Sequence, residues 1–193
     1  MTVAPPTMIV VGGPPGSGKS TAMPARTFGV DAFNVDDRCR ELHGSYQGIP
    51  PEVRARASGE CESFVADHLA RGVSFAVEST MRTTISIEQA REANARGFIT
   101  VLLFLCAEEV SIHVERVRAR ALAGGHSAPE AEIRATYAAS LANLSLAVGV
   151  FAVIECFDTT PHGLGARHVA SVRGGRMELT STPTPRWLLQ PPR

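Results

Sequence analysis

The 193-residue chain is 44% apolar and 20% charged, and its acidic and basic residues balance to a formal net charge of zero. That composition suits one globular domain with a real core. It excludes a chain-wide attraction to nucleic acid or to an anionic membrane surface. Eighteen basic residues are arginine and one, Lys19, is lysine.

Taken in chain order, the apolar run over residues 8–13 reads as a buried strand, and a helix follows from Gly18 that Pro24 shortens or kinks. Residues 32–37 (AFNVDD) read as a second strand. Apolar residues at helical spacing from Pro50 to Arg71 predict a helix. A third strand is expected over 73–80, and a helix over 84–97 that stops at glycine. Residues 98–106 form the most hydrophobic strand and are expected at the centre of the sheet. A helix over 108–125, a second from Pro129 to about Val148, and a fifth strand over 150–158 complete the alternation. Near-continuous apolar strands, each followed by a helix, imply an α/β parallel sheet with helices on both faces. The Gly-Gly inside residues 168–180 predicts a C-terminal β-hairpin. We expect one domain over 1–180 with a lid at about 118–134, and a proline-rich tail over 181–193.

Cys39, Cys61, Cys106 and Cys156 lie far apart, with no metal-ligand spacing, and read as reduced thiols. The N-terminus has no basic region ahead of its short apolar run, and no stretch reaches the length of a membrane span. The expected location is the cytoplasm.

Gly13-Pro14-Pro15-Gly16-Ser17-Gly18-Lys19-Ser20 fits the phosphate-loop pattern GxxxxGK[ST] in full, followed by Thr21. Glycines let backbone N–H groups converge on phosphate oxygens, and the helix N-terminus adds partial positive charge. Lys19 is a compact cation for the β- and γ-phosphates, and the Ser20 hydroxyl suits Mg²⁺. No guanine-recognition motif is present, and the domain is small for a motor. That favours ATP-dependent phosphoryl transfer to a small acceptor.

An acceptor kinase needs a group that orients and deprotonates a hydroxyl beyond the carboxyl ends of the strands. Asp36 and Asp37 stand at the expected end of the second strand, where the other reading is a helix cap. Glu78 sits inside an apolar strand, where a carboxylate needs a partner or a ligand. Arg116, Arg118, Arg120, His126 and Arg134 surround the glycine-containing break AGGHSAP. They read either as a solvated basic surface or as a lid that closes on ATP. Arg116 and Arg120 share a helix face, with Arg118 on another.

These segments, GPPGSGKST, NVDD, VESTMRTT and the arginine-bearing helix before GGHSAP, resemble the zeta-toxin family of P-loop kinases over about residues 8–157. The resemblance implies a nucleotide-kinase-like fold with ATP and Mg²⁺. It further implies transfer to a hydroxyl of UDP-N-acetylglucosamine or a related sugar nucleotide. It places the catalytic base on Asp36, or on Asp37 if the alignment slips by one. It gives substrate binding to Glu78, Thr80 and Arg82, and phosphate contact to Arg118. The family's second arginine falls on His126, with Arg120 or Arg134 as substitutes, and its EGT glycine is Ser79 here. An antitoxin protein is a possible partner. The competing readings are a kinase of nucleic-acid ends or of another metabolite, and an ATP-binding module without transfer. The neutral charge and few aromatics disfavour nucleic acid.

Overall fold

The computed structural model describes residues 4–161 and 165–189. Seven strands form one sheet in the order β2-β3-β1-β4-β5-β6-β7. These are β1 (Thr7–Gly12), β2 (Asp31–Phe33), β3 (Phe75–Ser79), β4 (Ile99–Cys106), β5 (Val153–Asp158), β6 (Arg167–Arg173) and β7 (Arg176–Leu179). The first five are parallel. The expected hairpin is β6–β7, antiparallel and continuous with the sheet edge at β5. Gly174 and Gly175 both take positive φ, as a two-residue hairpin turn of this kind requires. β4 occupies the middle of the seven, as its hydrophobicity predicts.

The helices are α1 (Lys19–Ala22), α2 (Val35–His43), α3 (Pro51–Arg71), α4 (Ile85–Ala95), α5 (Val110–Leu122), α6 (Glu130–Ala147) and α7 (Arg186–Leu189). The two faces of the sheet are covered unequally. On one, Met8, Val10, Phe75, Leu102, Phe104 and Ile154 pack with α3 (Val65, Leu69), α4 (Ile87, Ala90, Ala93), α6 (Leu144, Ala147) and Trp187 of α7. On the other, Val11, Ala76 and Leu105 meet Ala25, Met23, Phe28 and Val30. That second cover is short because α1 ends ahead of Pro24, whose ring cannot continue a helix, and a 3-10 turn (Ala25–Thr27) takes over.

One expected strand is corrected. The segment 32–37 is strand only as far as Phe33. The Asn34 side chain accepts the backbone N–H of Asp36 at 2.9 Å and of Asp37 at 3.3 Å. Asn34 thus caps α2, and both aspartates lie in its first turn, where the helix dipole favours negative charge. The tail segment up to Leu189 lies against the body, with Trp187 5% exposed and its ring 5.8 Å from Phe104. Residues 190–193 of the expected tail lie outside the described residues. Among the described residues no helix is long and apolar enough to cross a membrane.

Candidate functional site

The loops after β1, β2, β3 and β5, together with α5 and the segment after it, surround a cavity of about 940 Å³ at the carboxyl ends of the parallel strands. That is where open α/β sheets bind their ligands. The phosphate loop forms one wall through Pro15, Gly16, Gly18, Lys19, Ser20 and Thr21. Gly13, Pro14 and Ser17 lie behind that wall. A Cβ on Gly13 would stand 2.1 Å from the Leu105 carbonyl oxygen, and one on Gly16 would stand 2.6 Å from that of His113. Both also take positive φ, so only glycine lets the loop lie this close to β4 and α5.

Lys19 donates to the Gly13 carbonyl at 2.6 Å and the Pro14 carbonyl at 3.1 Å, folding back over its own loop. Desolvation pulls its ammonium down from 10.5 to about 8, and the Glu78 and Asp36 carboxylates oppose that shift. Lysine, two carboxylates and Arg120 therefore share one field. The Ser20 hydroxyl donates to Glu78 Oε2 at 2.9 Å, and Ala25 N–H donates to Glu78 Oε1 at 3.4 Å. The carboxylate inside the apolar strand has its partners, and they belong to the phosphate-loop segment.

The adjacent aspartates part company. Asp36 lines the cavity, 3.5 Å from Arg54 on α3. Asp37 accepts a hydrogen bond from the Tyr46 hydroxyl at 2.6 Å and is not among the cavity-lining residues. A register shift of one residue on a helix turns a side chain by about 100°, which separates the two.

Thr80 and Arg82 both line the cavity, on either side of Met81. Met81 is fully buried and takes φ 54°, the left-handed region that a bulky side chain rarely adopts. Three hydrogen bonds hold the segment there. Met81 N–H donates to Ser79 Oγ at 3.1 Å, Asn143 Nδ2 donates to the Met81 carbonyl at 2.8 Å, and the Ser140 hydroxyl donates to the Thr80 carbonyl. Ser79, which stands where the resembled motif has glycine, thus has a local task. Arg82 is exposed and lies 3.5 Å from Glu132.

The basic residues of α5 and α6 divide by helix face. Arg116 and Arg120, four apart, line the cavity, as does His126 in the intervening segment. Arg116 donates to the Thr159 carbonyl, to Thr159 Oγ1 at 3.2 Å and to the Gly16 carbonyl at 3.4 Å. Arg118 is 65% exposed and pairs with Glu130, which also pairs with Arg134 at 2.7 Å. Neither Arg118 nor Arg134 is among the cavity-lining residues. The structure therefore does not bring Arg118 to the phosphate loop. The i,i+4 spacing of Arg116 and Arg120 is the sequence signal that separates the two faces. Arg54, Thr159 and His113 carry no comparable signal. The packing of α3 and the end of β5 bring Arg54 and Thr159 to the cavity, and the packing of α5 sets His113 behind the phosphate loop.

A family model described as an AAA domain, AAA_33, matches residues 8–142. No curated protein matches the chain by sequence. Among solved structures, the AvrRxo1-ORF1:-ORF2 complex with ATP aligns at a TM-score of 0.70 and 18% identity, over 90% of this chain and 60% of that one. The PezAT chromosomal toxin-antitoxin system of Streptococcus pneumoniae aligns at 0.60 and 18%, over 82% and 70%. A candidate kinase from Chloroflexus aurantiacus aligns at 0.55 and 22%, over 69% and 79%. The chain thus spans about three fifths of the AvrRxo1 chain it matches. These likenesses are of fold, and the fold is the expected kinase-like P-loop α/β sheet. With its phosphate loop and more than half its length inside the matching model, the chain belongs to the AAA_33 family of AAA domains.

Proposed function

We propose that the protein is an ATP-dependent kinase. It transfers the γ-phosphoryl group to a hydroxyl of a small acceptor, and a sugar nucleotide such as UDP-N-acetylglucosamine is the first candidate. One observation carries the reading: a single cavity has Lys19 and Ser20 at one end and Asp36, Thr80 and Arg82 around the remainder. A nucleotide-binding module without transfer has no need of a carboxylate so placed.

In this reading the acceptor hydroxyl oxygen attacks the γ-phosphorus. An O–P bond forms, the bond to the β–γ bridging oxygen breaks, and ADP leaves. Asp36 takes the hydroxyl proton. Arg54, 3.5 Å away, orients the Asp36 carboxylate. Lys19 leaves its loop carbonyls for the phosphates, and Arg116 and Arg120 stabilise the moving negative charge. The Ser20 hydroxyl and the Glu78 carboxylate form an oxygen donor pair of the kind a hard cation prefers, so they would hold Mg²⁺ directly or through water. Bound there, Mg²⁺ would neutralise charge on the triphosphate. Thr80 and Arg82 bind the acceptor.

The ATP-bound AvrRxo1 complex supports the nucleotide assignment, and the PezAT system supports an antitoxin as the partner to test. The decisive experiment is a labelled-ATP screen against UDP-sugars, nucleosides and metabolite pools. A labelled UDP-sugar is the expected product. Tight ATP binding with no acceptor labelled would sink the kinase reading.

A further inference from the structure

His113 lies in the first turn of α5, next to Val114, and is 0% exposed. It is not among the cavity-lining residues. A fully buried imidazole needs a partner for each ring nitrogen. Here each has a backbone partner, and the Cys106 Sγ lies 3.8 Å from Nε2. The Ala107 N–H donates to Nε2 at 3.1 Å, so Nε2 carries no proton. Nδ1 lies 2.8 Å from the Pro15 carbonyl, an acceptor, so Nδ1 carries the proton and donates it. The two bonds fix one neutral tautomer, and burial agrees by pushing the ring down to about 4.

The acceptor of that bond is a residue of the phosphate loop. The next residue, Gly16, presses on the backbone of His113 so closely that a Cβ would stand 2.6 Å from its carbonyl oxygen. One histidine therefore holds residues 15 and 16 twice, through its ring and through its main chain. Its other bond reaches Ala107, just past the end of β4. The ring also meets Tyr137 of α6 edge-on at 5.0 Å, and the Tyr137 hydroxyl donates to the Glu108 carbonyl at 3.1 Å. The loops that follow β1 and β4 are thus joined through a side chain that does not itself line the cavity.

We propose that His113 is a positioning residue of the phosphate loop. Its Nδ1–H fixes the Pro15–Gly16 turn in the shape that receives the triphosphate, and so sets the affinity for ATP. This rests on the ATP-binding reading above.

The test compares two polar variants. Asn places an amide near Nδ1 and keeps a donor for Pro15. Gln places its amide near Nε2 and keeps an acceptor for Ala107. ATP affinity is measured by calorimetry with excess Mg²⁺, and thermal midpoints are recorded alongside. His113→Asn should bind ATP within about threefold of wild type. His113→Gln should bind roughly tenfold more weakly, the equivalent of one lost buried hydrogen bond. A purely structural role would lower the midpoints but leave the two affinities equal, and that outcome overturns the proposal. A second measurement needs no variant. In ¹⁵N spectra of histidine-labelled wild-type protein, His113 should be protonated at Nδ1 alone at pH 7, and its N–H signal should shift when ATP is added. A ring protonated at Nε2, or a signal blind to ATP, overturns the proposal as well. Wild-type protein that binds no ATP overturns the nucleotide reading, and this inference with it. Binding that is equal in the two variants overturns this inference alone.

Discussion

The two ends of the cavity are built on different principles. At the phosphate end the groups are main chain, glycine and short side chains, pinned by the buried His113 and by the Arg116 bonds to Thr159 and Gly16. At the proposed acceptor end they are side chains from separate elements, most of them charged. There Arg54 stands 3.5 Å from Asp36, and Arg82 stands 3.5 Å from Glu132, all of them a third or more exposed. A backbone cradle fits one ligand chemistry, the polyphosphate, because its N–H groups cannot move independently. Side chains held by loose, solvent-screened pairs can exchange partners, so on the proposed reading that end would take a class of acceptors rather than one.

The largest expected effect breaks the phosphate end. Lys19→Ala should lower phosphoryl transfer by about 10³-fold in a labelled-ATP assay, since no other lysine exists to replace it. Normal turnover in that variant would remove the kinase reading altogether. Next comes the boundary between the ends. Asp36→Asn should cost about 10²- to 10³-fold in transfer while ATP affinity stays within twofold. Asp37→Asn should stay within threefold, because its carboxylate is held by Tyr46. If the two variants trade places, the base is Asp37.

Arg116→Ala should lower kcat/KM by roughly thirtyfold, because it frees Thr159 and Gly16 as well as removing a charge from the cavity. A smaller effect comes from pH. In the free protein the Lys19 ammonium is held at about 8, below the 10.5 of an exposed lysine. The folded state thus binds this proton less tightly than the unfolded chain. On this account the unliganded protein gains stability as pH rises from about 8 towards 10.5. ATP needs the charged form, so its affinity should fall over the same window, by about tenfold between pH 7 and pH 9. Calorimetric titrations across that range check both signs, and an ATP affinity flat to pH 10 would contradict the field described for Lys19. The smallest effect is Arg118→Ala. Its exposed pair with Glu130 predicts less than a twofold change in turnover, and a tenfold loss would return the resembled arginine to the site.

Much of the chain was readable in advance because its signals are local. The apolar runs of β1, β4 and β5 and the helical spacing of α3 depend only on neighbours within a turn or two. So does the phosphate loop, whose pattern lies in consecutive residues. Asn34 is where the expected strand gives way to a helix start. Its capping of α2 moved Asp36 and Asp37 from a strand end to a helix turn, and a strand and a capped helix start look alike over six residues. The arginines show the same limit. The spacing of Arg116 and Arg120 marked a shared face, but which face met the cavity depended on where α5 packs. The resemblance pointed to Arg118, which the fold turns towards Glu130.

Local patterning alone fixes a parallel α/β sheet, a phosphate-loop motif at Lys19 and a cluster of polar residues around VESTMRTT. Those follow from hydrophobic periodicity and from chemistry carried on adjacent residues. The packing of distant segments settles that Asp36 rather than Asp37 faces the cavity, and that Glu78 meets Ser20. It alone decided that Arg54 reaches Asp36, and that a buried histidine 98 positions from Pro15 holds the phosphate loop. Each of these is a contact between distant segments, set by how helices and strands pack against one sheet, and no local pattern encodes that packing.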